Sequence, residues 1–205
     1  MKHSLSLAVF AALALGAPAL KAADAGDWQF KFGAHVVDPK SNNGTLAGGT
    51  LKADVDSDWK PTFSLEYYFS QNLGLEVLAA LPFKHDISLN GTKAGSTKHL
   101  PPTVSLQWHF LPDAKVSPFV GLGLNYTRFF STKETGPLAG TNLDLDDSWG
   151  LAAHVGVDFA LKDRWSVTLD ARWMDIDTDV KVDGNKVGTV NIDPIVYGVA
   201  FGYRF

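Results

Sequence analysis

From Asp27 onward, apolar and polar residues alternate one by one in eight stretches separated by turn-forming residues. Such alternation sends successive side chains to opposite faces, so each stretch predicts a strand with one apolar and one polar side. In 27–38, Trp28, Phe30, Phe32, Ala34 and Val36 stand against Gln29, Lys31, Gly33 and His35. The pattern recurs over 60–69, 73–83, 100–110, 118–130, 148–159, 164–180 and 192–205. Connections at 38–59, 86–98, 131–147 and 181–190 are long, whereas those at 70–72, 111–117 and 160–163 are short. Short turns alternating with long loops are the wiring of an up-and-down barrel in the outer membrane. The predicted fold is therefore all-β, an eight-stranded antiparallel transmembrane β-barrel. Its strands exceed the ~9–11 residues of a membrane crossing, so they are expected to project beyond the outer leaflet.

A soluble barrel that carries a ligand shows the same period with the faces exchanged. Three features decide the orientation. Aromatics gather at strand ends: Trp28, Phe69, Trp108, Phe110, Phe159, Trp165, Tyr203 and Phe205 toward the short turns, then Phe83, Trp149 and Trp173 toward the loops. Two such rings mark the two lipid–water interfaces. The opposite face holds Lys31, Glu66, Glu76, Asp158, Asp170, Arg172 and Arg204, which cannot line an apolar ligand cavity but can pair in a narrow wet lumen. The close at Tyr203 and Phe205 resembles the C-terminal signal read by the barrel-assembly machinery.

Composition adds the route to the membrane. After Asp24 no apolar run approaches the ~20 residues of a membrane helix. The basic start Met1-Lys2-His3, the apolar core from Leu5 to Ala19 and the small residues that follow predict a signal peptide over 1–22. Cleavage is expected within 19–25, leaving a barrel domain over 23–205. The 205 residues include no cysteine, so this exported chain needs closure of its sheet rather than disulfides. A net charge of -4 argues against nucleic acid as a partner.

Candidate chemistry is sparse. Asp175, Asp177 and Asp179 resemble the opening of a calcium loop, but Val180 and Lys186 occupy the places of its glycine and final glutamate. His35, His85, His99, His109 and His154 lack ligand spacing, although His85 and His99 flank one long loop. No nucleophile, base and orienting group are tied together by any motif. The expectation is no enzyme, no metal and no cofactor.

The stretches 72–85, 99–103, 118–127, 147–150, 174–178 and 202–205 together resemble the OmpW family, which includes alkane-uptake proteins. The resemblance implies a narrow, partly apolar channel for passive uptake of small hydrophobic solutes past lipopolysaccharide. It further implies that solute leaves sideways into membrane lipid. On this reading Leu78 and Glu76 line the channel together with Arg172, which departs from the bulky aromatic that the family can carry there and would pair with Glu76 or Asp170 and close the lower lumen. Pro82, Pro101 and Pro102 cannot donate to the strand ladder and would flank the lateral opening, or else simply mark strand ends. A barrel whose loops bind a phage or bacteriocin without transport is the alternative. Either way the partners include outer-membrane lipid and lipopolysaccharide.

Overall fold

A computed structural model describes residues 23–205, and the predicted signal peptide lies outside the described residues. Strands run, in chain order, β1 Trp28–Asp38, β2 Thr45–Leu46, β3 Leu51–Val55, β4 Asp58–Tyr68, β5 Leu73–Ala80, β6 Phe83–Leu89, β7 Thr92–Leu100 and β8 Thr103–His109. They continue as β9 Val116–Glu134, β10 Leu143–Leu145, β11 Ser148–Ala160, β12 Trp165–Met174, β13 Asp177–Val182, β14 Asn185–Asn191 and β15 Ile195–Arg204. Eight of these, β1, β4, β5, β8, β9, β11, β12 and β15, pair antiparallel in a ring; β1 joins β15 and β9 joins β11 to close it. Closure leaves the barrel wall without a free edge, which a lipid environment requires.

The expected faces hold. Trp108 is 48% exposed and Val155 57% exposed on the outer wall, while Glu66 and Glu76 are buried inside. The outer wall exposes Phe30, Phe32, Leu122, Leu124, Leu151, Val199 and Phe201. Trp28, Trp108 and Trp165 stand at the short-turn ends of their strands, and Trp149 and Trp173 at the loop ends. Trp59, also exposed at a loop end, joins them.

Two details differ from the pattern read along the chain. Phe83 belongs to neither ring: it is 1% exposed and points inward. The strand stops at Ala80, and the break at Leu81-Pro82 shifts the alternation by one residue before β6 begins. Leu81 therefore faces out and Phe83 in.

The second difference concerns the long connections, which are largely strand. β6 and β7 form a hairpin through Asn90 and Gly91, both at positive φ, and β13 and β14 turn likewise at Asp183 and Gly184. Asn-Gly and Asp-Gly are the favoured pairs for such two-residue turns because both positions need positive φ. β9 continues for 19 residues and pairs with β7 above the point where it leaves β8. The outward residues of these extensions include Lys84, Lys98 and Arg128, charges that place this part above the hydrocarbon.

Candidate functional site

The interior divides into two storeys with opposite chemistry. The lower storey, inside the membrane-spanning strands, is filled by paired polar groups. Lys31 Nζ donates to Glu66 Oε2 at 3.1 Å, and His109 Nε2 lies 2.8 Å from Glu66 Oε1. Tyr68 Oη donates to Gln29 Oε1 at 2.6 Å, and Gln29 Nε2 donates to Ser166 Oγ at 2.8 Å. One layer higher, Arg172 reaches Glu76 Oε2 with Nη1 and Asp170 Oδ2 with Nε, each at 2.7 Å. Asp170 Oδ1 also meets His35 Nε2 at 2.8 Å, and Nδ1 of that ring lies 2.6 Å from Thr62 Oγ1.

These groups fill the bore because their neighbours are small. A Cβ at Gly121 would lie 1.7 Å from His154 Nε2, and one at Gly74 would lie 2.3 Å from Glu66 Oε1. Phe119 closes the remaining space, with Lys31 Nζ 5.3 Å from its ring centre. An eight-stranded barrel is only wide enough to be filled by side chains, and here the filling is ionic. Charges removed from water persist only when paired and hydrogen-bonded; the Lys31–Glu66 and Arg172–Asp170 contacts meet both conditions, whereas Arg172 Nη1 and Glu76 Oε2 are paired in charge without a hydrogen bond.

The upper storey is apolar. Val37, Leu78, Phe83, Phe129, Ala152, Met174, Ile176 and Val196 continue the inward face upward, and Ala53, Leu89, Leu143, Val180 and Val190 extend it into the hairpins. Phe129 and these hairpin residues enclose a chamber of about 210 Å³ whose accessible wall is apolar, and Val37, Leu78, Phe83, Ala152, Met174, Ile176 and Val196 belong to the buried apolar cluster without lining it. An engineered apolar cavity of ~150 Å³ takes up benzene, so the chamber has room for a somewhat larger molecule. Leu78 sits where the two storeys meet, sharing a small cavity with Glu76, Arg172 and His35.

Reading the chain picked out Leu78, Glu76 and Arg172 but missed most of this chamber. Of its walls, Leu46, Ala53, Ile87, Leu89 and Val190 come from segments read as loops, and Val180 from the far end of one read as a strand. The turn pairs Asn90-Gly91 and Asp183-Gly184, flanked by alternating residues, carried the missed signal.

His85 and His99 do meet, with ring centres 4.6 Å apart. Both lie in the extension above the membrane and line the chamber. His85 Nδ1 donates to the Asp56 carbonyl at 2.5 Å; its Nε2 and both nitrogens of His99 have no hydrogen-bond partner. Burial among Phe83 and Phe129 pushes His99 well below the usual histidine range and lowers His85, with Asp58 and Asp56 opposing and Lys60 assisting the His85 shift. Both rings are thus held neutral. Above about pH 6.5, folded and unfolded chains are alike at these positions. As pH falls below that value the unfolded chain binds protons that the folded chamber refuses, so stability is lost toward acid. A urea titration at pH 7.5 and at pH 5 is expected to show this loss, and His85→Phe/His99→Phe to reduce it; an unchanged pH slope in the double variant would refute the assignment.

The acidic loop residues pair locally. Asp193 accepts from Lys40 at 2.7 Å and Asp177 from Asn191 at 2.5 Å, beside Asp175. Asp146 accepts from Lys181 at 2.7 Å.

At the junction of the storeys the wall itself is interrupted. Pairing of β5 with β8 ends at Leu78↔Thr103, and pairing of β6 with β7 begins at Phe83↔His99. Between them stand Ala79 to Pro82 on one side and Pro101-Pro102 on the other. The prolines have no N–H to offer, and Asn125 Nδ2 donates to the carbonyls of Pro101 at 3.1 Å and Pro102 at 3.2 Å.

A narrow eight-stranded barrel closed on itself is what the sequence resemblance led one to expect. The sequence profile of the OmpW family matches residues 24–205. The chain belongs to the OmpW family. Outer membrane protein W of Vibrio cholerae serotype O1 is 39% identical over 219 residues, with 100% of each chain covered. The crystal structure of OprG, an outer membrane protein of Pseudomonas aeruginosa, matches with a TM-score of 0.81 at 33% identity, covering 91% of this chain and 99% of that one. The dibenzothiophene metabolism operon protein PahQ of Pseudomonas aeruginosa is 25% identical over 171 residues, 80% of this chain and 79% of its own. Like its OmpW relatives, this barrel resides in the outer membrane, its apolar wall against lipid.

Proposed function

We propose that this OmpW-family barrel is a passive channel for small, mainly apolar molecules, which enter the chamber from the loop side and leave sideways into the membrane. The observation that carries the reading is an apolar chamber standing on a filled ionic plug. A solute that gains by leaving water for the chamber meets paired charges below, and moving it through them would strip those charges of their partners. The break in pairing between Leu78↔Thr103 and Phe83↔His99 offers a way out at the same level. Lipid outside that gap is as favourable to an apolar solute as the chamber. The name of PahQ places that relative in an operon for metabolism of an apolar aromatic compound, which agrees with this substrate class.

The absence of cysteine makes the exit directly testable. Extending the β5–β8 register by one residue sets Ala79 opposite Pro102. Ala79→Cys/Pro102→Cys, bridged by a short reducible cross-linker, is expected to stop uptake of an apolar solute into proteoliposomes or cells. Reduction should restore it. Unchanged uptake in the bridged protein would rule out this exit.

A further inference from the structure

Just above the outer aromatic ring, three cations stand together on the outside of the barrel. Lys84 on β6 lies directly opposite Lys98 on β7. On the other side of β7, Lys98 pairs with Phe130 and Leu100 with Arg128, so Arg128 is one diagonal step from Lys98. All three are exposed and point outward, since Phe83, His85, His99 and Phe129 between them point in. Directly opposite residues in a ladder hold their Cβ atoms ~5 Å apart and diagonal ones ~7–8 Å. Among the described residues none forms an ion pair with any of the three. The nearby carboxylates are engaged elsewhere: Asp58 with Lys60 and the Lys84 backbone N–H, Asp86 with Lys93, and Asp147 with the Tyr126 hydroxyl and the Phe129 N–H.

Like charges directly opposite in a ladder are destabilising, and among the described residues no carboxylate pairs with them. Immediately below, Leu81 and Leu124 face outward from the wall, where acyl chains would lie. An anion attached to a lipid satisfies both levels at once. We propose that Lys84, Lys98 and Arg128 form a binding site for a phosphate on the headgroup of the outer leaflet's lipid A, with its acyl chains against Leu81 and Leu124. Phosphate oxygens can accept charge-assisted hydrogen bonds from both ammonium groups and from the guanidinium together. The site lies on the outer wall, apart from the chamber, and does not depend on the solute proposed above.

The test uses the folded protein in neutral detergent, titrated with diphosphorylated lipid A and with enzymatically dephosphorylated lipid A, bound lipid being counted by native mass spectrometry. Wild type is expected to prefer the phosphorylated lipid, and Lys84→Gln/Lys98→Gln/Arg128→Gln to bind it at least about tenfold more weakly. Removing the exposed short-turn cations with Lys115→Gln/Lys162→Gln should change nothing. Excess inorganic phosphate should displace little lipid, because it lacks the acyl contacts; full displacement would mean a free-phosphate site and overturn the lipid assignment. Lys98→Glu separates binding from folding: facing Lys84, it is expected to raise the thermal midpoint in lipid-free detergent while weakening lipid binding. Equal affinity of wild type and the triple variant, or no preference for the phosphorylated lipid, would overturn the proposal.

Discussion

Arg172→Met is expected to destabilise the folded barrel by ~3–5 kcal/mol, the cost of leaving a buried charge without its partner. Arg172 is the only cation that bridges two carboxylates among the described residues of the plug, reaching Glu76 and Asp170 at 2.7 Å each. Its side chain and those of both partners are almost wholly removed from solvent, so screening by water does little to soften the loss. Methionine fills much of the same volume but offers nothing to either carboxylate. His35 would still hold Asp170, whereas Glu76 would keep only the longer-range attraction of Lys31 and His154 Nδ1 at 4.0 Å. Neutralising all three positions together, Arg172→Met/Glu76→Gln/Asp170→Asn, is expected to recover most of the loss, because a neutral core of similar volume costs far less than a broken ion pair. Urea titrations in lipid vesicles, followed by tryptophan fluorescence and by heat-modifiable gel mobility, measure both. A single variant within about 1 kcal/mol of wild type would show that water enters the plug and screens these charges.

The second large effect concerns the junction between the storeys. Leu78→Arg is expected to reduce uptake of an apolar solute about tenfold or more, since it brings an ionised group into the wall that the solute must pass. Leu78 is 6% exposed and has Phe83 among its buried apolar neighbours above and Glu76 and Arg172 below. A new guanidinium there can turn down toward Glu76, so the barrel is expected to fold while the apolar layer beneath the chamber becomes charged. Leu78→Trp tests the same throat by volume alone. Uptake of a labelled apolar compound by a deletion strain carrying each variant provides the readout, with heat-modifiable mobility confirming folding. If neither variant slows uptake, the solute does not pass Leu78.

The alternation from Trp28 to Phe205 was sufficient to read the eight wall strands, and the aromatic rings at the strand ends with the ionisable residues opposite them assigned the outward and inward faces and a charged lower bore. Period two is a local property: whichever way the sheet closes, Lys31, Glu66, Glu76, Asp170 and Arg172 share the face opposite to Phe30, Leu65, Val77, Leu169 and Ala171. The six short stretches around Leu73, Pro101, Val120, Trp149, Asp175 and Tyr203 likewise carried the family. What the chain could not show locally was the storey above. Phe83 reads as one more outward aromatic until the break at Leu81-Pro82 turns it inward, and Ile87, Leu89 and Val190 read as loop until their hairpins fold over the barrel mouth. The chamber exists only because four separate extensions lean together there. Which residues then share a surface depends on contacts far apart in sequence, and the pairing of Arg172 with Glu76 across the bore is decided in the same way, by closure of the sheet rather than by any spacing along it.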